Sequence, residues 1–298
     1  MRVHPTIVSI AVNRLRQVLA AALLLVSATP VLAAAVGMVT DLSGKAWIVE
    51  GAIRQPLAVL GYLEPGTVVE VDKGGSVSIT FYSPAQEQVF SGPAKFKLEK
   101  QGVTRISGAA PAVQPLGGMA AEATAKDMAQ GGRRTQAAVR MRSLAVGTAI
   151  AGLSPDKTAV RSTMPRFSWS AVPEVGKYRL TLSTGEGIAV LDEAVGGTEW
   201  RVPADKALLA GKEYNWNVEA ILADGAKLAG KGRFSVLDAA VAARLDAETP
   251  AGGAPFAQRL RYAITLESAG LAEDARELWR VLAKERPAEP AVQKRAQQ

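Results

Sequence analysis

"LLAGKEYNWNVEAIL", residues 208–222, decides what kind of chain this is. From Tyr214 onward the apolar side chains fall on every second residue (Tyr214, Trp216, Val218, Ala220, Leu222), with Asn215, Asn217 and Glu219 between them. A period of two belongs to a strand with one buried face; a helix would scatter the same residues around its axis. Gly211 precedes the stretch and Asp224-Gly225 follows it as a hairpin signal, and Phe234 and Val236 then resume the alternation as a return strand. That order also settles "GAKLAGKG" at 225–232, whose glycine and lysine spacing is that of a phosphate-binding loop. Gly232 stands where a magnesium-binding hydroxyl is needed, and a strand follows where the loop must open a helix with its amides on the phosphate. Its glycines are expected to allow a bulge or a close approach.

The same period runs outward through Phe167 and Trp169, through Tyr178, Leu180 and Leu182, and through Trp200 and Val202. "PRFSWSAVPEVGKYRLTLS" (165–183) followed by 208–222 resembles a fibronectin type III domain, with Leu208, Gly211 and Tyr214 as its step into a Tyr-x-Trp-x-Val strand. The resemblance implies a two-sheet sandwich in which Tyr214 bonds its hydroxyl back to the preceding loop, a structural corner and not a catalytic acid. Trp169, Trp200 and Trp216 are then core residues.

Residues 37–102 also read as short strands. "SVSITFYS" (76–83) sets Val77, Ile79 and Phe81 inward and Ser78, Thr80 and Tyr82 outward, and "KFKLEK" (95–100) sets Phe96 and Leu98 inward. Turn signals at 42–45, 64–67, 72–75 and 91–94 make a small β-roll or barrel the expected architecture. "VTDLSGKAWIV", "QPLAVLGYLEPGTVVEVDKGGSVSITFYSP" and "VFSGPAKFKLEK", in that order, resemble the FecR domain, with Gly61, Leu63, Pro65 and Gly66 at its glycine step and Leu63 one position early. The family's namesake is a periplasmic sensor that signals to a sigma factor through a cytoplasmic domain. Only about 16 residues precede the apolar segment here, so the expectation carries over the exported domain alone.

Between the two β regions, "GAAPAVQPLGG" (108–118) reads as a linker and "MAAEATAKDMAQ" (119–130) as a short helix. Arg133, Arg134, Arg140 and Arg142 follow, and the chain's positive excess sits in this connector. A basic run in a connector is commonly just solvated; its functional reading is attraction to anionic lipid or cell-wall polymer. From 238 the period becomes helical: Asp238 can cap one helix, Pro255 can open "FAQRLRYAITLESAG" up to Gly270, and "LAEDARELWRVLAKERP" follows. Tyr262, Ala263, Leu266, Ala275, Trp279, Leu282 and Pro287 resemble one tetratricopeptide unit, from which Arg259 departs at the aromatic entry. A single unit cannot bury its own face, so another element or a second protein must cover it.

Arg2, Arg14 and Arg16, then "VLAAALLLV" (18–26) and the small residues of "VLAAA" (31–35), form the pattern of a cleaved secretory leader. Its removal takes the net charge from +7 to +4 and removes His4, the single histidine of a chain without cysteine. Ser-His-Asp and Cys-His nucleophiles, His or Cys zinc sites and disulfides are thereby excluded from the mature body. Ser154 and Lys157 match a Ser-x-x-Lys motif, but Pro155 opposes its helical turn and the companion motifs are missing from the sequence. Asp192 with Glu193 and Glu273 with Asp274 read as solvated surface rather than a glycosidase pair.

The expected organisation is a leader at 1–35, a FecR-like β domain at 36–107, a basic linker with a short helix at 108–163, a sandwich at 164–237 and a helical segment at 238–298. The fold class is mainly β and multidomain, a small roll or barrel plus an immunoglobulin/fibronectin-like sandwich, ending in an α-helical hairpin. The functional expectation is a non-enzymatic binding or scaffold protein of the periplasm or outer surface, with no catalytic residue, cofactor or metal. Its expected partners are an envelope protein and, through Arg133, Arg134, Arg140 and Arg142, an anionic surface; nucleic acid and nucleotides are not among them. The competing readings are a membrane-anchored periplasmic sensor and, more weakly, an enzyme acting on wall polymers.

Overall fold

The computed structural model describes residues 34–131, 149–222 and 225–298. The expected leader, save for its last two residues, and the four connector arginines lie outside them. The chain is mainly β, with helices gathered towards the C-terminus.

The first β body has two antiparallel five-stranded sheets. One contains β1 (Gly37–Ser43), β4 (Tyr62–Leu63), β6 (Ser76–Phe81), β7 (Gln86–Ser91) and β10 (Ala112–Pro115), in the order β10-β7-β6-β1-β4. The other contains β2 (Ala46–Glu50), β3 (Ile53–Pro56), β5 (Val68–Val71), β8 (Ala94–Glu99) and β9 (Gly102–Ser107), in the order β3-β2-β5-β8-β9. Val77, Ile79 and Phe81 from the first meet Val69, Val71, Phe96 and Leu98 from the second in one core. The Phe90 and Phe96 rings stack there at 3.7 Å.

The second β body is a sandwich of β11 (Thr158–Val160), β12 (Arg166–Ser168), β13 (Lys177–Thr184), β14 (Ala189–Gly196), β15 (Glu199–Arg201), β16 (Glu213–Ile221) and β17 (Lys227–Val236). One sheet runs β11-β17-β16-β13-β14, with β11 parallel to β17, and β12 with β15 forms the other. This is the expected fibronectin type III-like arrangement. Its core is an aromatic cluster in which Phe167 meets Trp216 edge-on at 4.9 Å and Trp169 meets Tyr178 at 5.4 Å. Trp169 and Trp216 are buried, and Trp200 packs against the core while partly exposed. Tyr214 forms the corner: its hydroxyl accepts from the Leu209 amide at 2.9 Å.

The 225–232 stretch is the hairpin strand the alternation predicts. β16 and β17 pair without a register shift, so Gly230 and Gly232 serve close approach and not a bulge, while Gly225 takes the positive φ of the turn. A Cβ on Gly232 would lie 2.3 Å from Trp216 Nε1, which donates to the Pro155 carbonyl at 2.8 Å.

Among the described residues there are five α-helices: α1 (Gly118–Gly131), α2 (Ala239–Ala247), α3 (Phe256–Ser268), α4 (Ala272–Glu285) and α5 (Pro290–Ala296). The Asp238 carboxylate caps α2 by accepting from the Ala240 amide at 2.8 Å. α3 follows Pro255 and stops before Gly270, and it is buried on nearly every side. α1 and β1 pack on it, and α4 folds back against it as a hairpin. Leu260, Ile264 and Leu266 share a core with Met38, Met119, Ala123, Trp279 and Leu282. Segment 112–115, expected as linker, is thus a paired strand, and the short helix expected at 119–130 is present as α1 and packed against α3. Met119, Ala123 and Met128 supply the apolar stripe that holds α1 down.

A candidate polar cleft under the central helix

On β6 the strand period is as expected, but the polar side does not face water throughout. Thr80 is fully buried, as is Thr40 beside it on β1, because α3 lies across this face. Only Tyr82, at the strand's end, is as exposed as the alternation predicts. The landing helix brings Arg261 against Glu87 of β7 in an ion pair whose side chains keep 10% and 6% of their exposure. Glu87 Oε1 also accepts from the Thr40 hydroxyl at 3.1 Å, and Thr80 donates to Thr40 at 3.4 Å. A buried charge needs such company, since an unpaired one costs several kcal/mol of lost solvation.

The Arg261–Glu87 pair of this network lines one wall of a cavity of about 240 Å³. Gln114 and Leu116 close it from the β10 side, Glu248 from the end of α2, and Gln258 and Tyr262 from α3. Glu248 is already engaged: its carboxylate accepts from the Met119 and Ala120 amides at 2.9 and 3.0 Å, capping α1 from outside the helix. Gly117 allows this, since a Cβ there would sit 2.8 Å from the Glu248 carboxyl carbon. The Tyr262 hydroxyl meets Thr249 at 2.8 Å and accepts from Arg161 Nη2 at 2.8 Å, joining the cleft to the sandwich side.

Further pairs tie the helices to one another and to both β bodies. Arg295 of α5 bonds Asp127 of α1 at 2.6 Å and also pairs with Glu267 of α3, and Arg286 reaches Asp41 of β1 at 3.2 Å. Glu289 accepts from the Val59 amide at 3.1 Å. On the sandwich side, Arg161 pairs with Asp246 at 2.9 Å and Asp274 at 3.3 Å. Arg259, out of place for a tetratricopeptide aromatic, forms a two-pronged bond with Glu285 at 2.5 and 2.7 Å and so closes the α3–α4 hairpin. These hydrogen bonds hold the Glu285 carboxyl below its usual range.

The residues weighed for chemistry lie apart from the cleft. Ser154 donates to Glu273 at 2.7 Å, while Lys157 pairs with Asp156 at 3.4 Å. Asp192 takes two bonds from Arg179, which lower its pKa, and Glu193 pairs with Lys206 at 2.5 Å. Each named carboxylate is matched to a local donor. Among the described residues no group of three or more His, Cys, Asp or Glu side chains is placed to hold a metal, and no helix is long and apolar enough to cross a membrane. Arg133, Arg134, Arg140 and Arg142 fall outside the described residues.

Glu87 and Arg261 were not singled out by the sequence. Each is one charged residue at an unremarkable strand or helix position, and only the packing of α3 on the first body's sheet, against β1, pairs them. The available signal was weak: polar Thr40, Ser78 and Thr80 share a phase on strands that could equally have faced solvent.

No family profile and no curated protein matches the chain. Among solved structures, CopC from Methylosinus trichosporium OB3b is 19% identical, covering 31% of this chain and 96% of that one, with a TM-score of 0.26. The fn3 domain of human collagen alpha-1(XX) is 20% identical over 35% of this chain and 91% of its own, also with a TM-score of 0.26. The FN1-FN3 domains of chicken CNTN1 are 13% identical, covering 67% of this chain and 53% of that one, with a TM-score of 0.23. The fold these comparisons accompany is the one that the strand order describes: a mainly β chain containing a fibronectin type III-like sandwich, with helices at its C-terminal end.

Proposed function

We propose that this protein is exported by its N-terminal segment and serves, without catalysing a reaction, as a binding or scaffold protein of a bacterial cell envelope. The observation that carries this reading is the locking of two β bodies onto one central helix. α3 and its neighbours bond to the first body through Arg261 with Glu87 and Arg286 with Asp41, and to the sandwich side through Arg161 with Asp246 and Asp274. Such a unit holds its exposed sheet faces at fixed spacing, which suits presentation of surfaces more than a moving catalytic cleft. The first body supplies a FecR-like module in this reading, and the α3–α4 hairpin a tetratricopeptide-like one turned inward. Because the hairpin's apolar face is spent inside the chain, protein contact falls to the outer sheet faces and the connector.

Cell fractionation with N-terminal sequencing tests the proposal. The expected outcome is an envelope location and a mature start near residues 34–36. Retention in the cytoplasm overturns it, and an intact N-terminus in the membrane turns the reading to an anchored sensor. Crosslinking in the native envelope then identifies what is held. Changing Arg133, Arg134, Arg140 and Arg142 to Gln should weaken binding to anionic vesicles; salt-insensitive binding that does not change removes the connector's role.

A further inference from the structure

We infer that the cleft between β7, the β10 end and α3 binds a single neutral sugar unit. The inference rests on the envelope-binding reading and names the ligand class for one of its surfaces.

Size comes first. At about 240 Å³ the cavity falls below the roughly 300–1,000 Å³ of drug-sized ligand sites, which fits a monosaccharide better than a longer glycan. Charge comes second. Arg261 and Glu87 are 8% and 5% exposed and neutralise one another. Glu248 is spent on the α1 amides. With Arg261 and Glu87 matched to each other and Glu248 to the amides that open α1, neither an anion nor a cation finds an unmatched opposite charge on these walls, so they favour a ligand without net charge.

Hydrogen-bonding capacity comes third. Arg261 reaches Glu87 through Nη1, and both Arg261 and Thr40 bond Glu87 at Oε1. Arg261 Nε and Nη2 and Glu87 Oε2 make no hydrogen bond within the described residues, and both side chains line the cleft, which leaves it donors and an acceptor to offer. Gln114 and Gln258 add exposed rim amides that have no partner among the described residues. Adjacent hydroxyls, each both donor and acceptor, are the groups that satisfy such a mixed set together. Leu116 and Pro255 give the apolar face of a sugar ring something to rest on.

The experiment titrates the purified mature chain with glucose and N-acetylglucosamine, and with glucuronate and glucosamine as charged counterparts, followed by protein-detected NMR. Saturable shifts with a neutral sugar are expected, with both charged sugars weaker. The Gln114→Ala/Gln258→Ala double variant, altered only at the exposed rim, should keep the parent melting temperature and bind about tenfold more weakly. The inference is overturned if neither neutral sugar saturates, if glucuronate binds more tightly than glucose, or if the rim variant binds like the parent. Failure here leaves the fractionation result standing, and a cytoplasmic location would leave sugar binding in solution intact, so the two readings fail separately.

Discussion

In the sandwich, the polar sides of β13, β16 and β17 (Thr181, Asn217, Lys231) lie on a sheet face on which none of the helices among the described residues packs, while Leu180, Trp216 and Phe234 turn into an aromatic core. In the first β body, the polar sides of β1, β6 and β7 (Thr40, Thr80, Glu87) face α3. Both sheets alternate with the same period of two. The difference teaches that alternation separates the two faces of a strand without saying what covers the second one. Where a helix covers it, each polar group must find a partner, and the chain acquires a buried network and a cleft.

Deleting 255–298 should break this comparison most completely. It removes the cover from Met38, Thr40, Thr80 and Glu87 together with most of the shared helical core. Hydrogen exchange should show β1, β6 and β7 losing protection while β13, β16 and β17, whose core is separate, keep theirs. Equal loss in both bodies would make them one cooperative unit. Next in size is the buried pair. Glu87→Ala should lower unfolding free energy by about 3–5 kcal/mol by leaving Arg261 uncompensated, and Glu87→Leu/Arg261→Met should recover most of it in urea titrations.

Inside the sandwich the comparison sharpens at its glycines. Gly232→Ala forces a methyl against Trp216 and should cost about 1–3 kcal/mol, whereas Gly196→Ala, with open space around it, should stay within about 0.5 kcal/mol. A Gly232→Ala variant as stable as the parent would mean that Trp216 can move aside. The smallest effect is that of surface charge. Asp192 is held below the ordinary carboxylate range by hydrogen bonds from Arg179, so its contribution is full above its unfolded pKa of about 3.9 and is lost as pH falls through the lower folded value. Asp192→Asn should therefore have its largest effect, still a small one for an exposed pair, near pH 7, a smaller one in high salt, and none once the pH is below the folded value.

Much of the sandwich was legible because its determinants are local. Tyr214 after Gly211, Trp216 two residues on and Phe234 in the return strand each announce burial by phase, and the Asp238 and Pro255 helix starts are written in one or two residues. The cleft was not legible. Glu87 and Arg261 are 174 residues apart, and no neighbour of either marks the other. Arg259 looked like a flaw in a helical repeat until Glu285 was placed beside it.

The sequence by itself determined most of the strand and helix segments, though not the strand at 112–115, and which strand faces are apolar, and that 225–232 belongs to a hairpin with no phosphate to hold, because these follow from spacing and side-chain chemistry within a few residues. Only the tertiary structure decided that α3 lies over the polar side of the first β body, that Glu248 caps a helix more than a hundred residues away, and that a neutralised Arg261–Glu87 pair walls a cavity. Contacts at such separations depend on how completed elements pack, and the period of a strand or a helix carries no information about the neighbour it will meet.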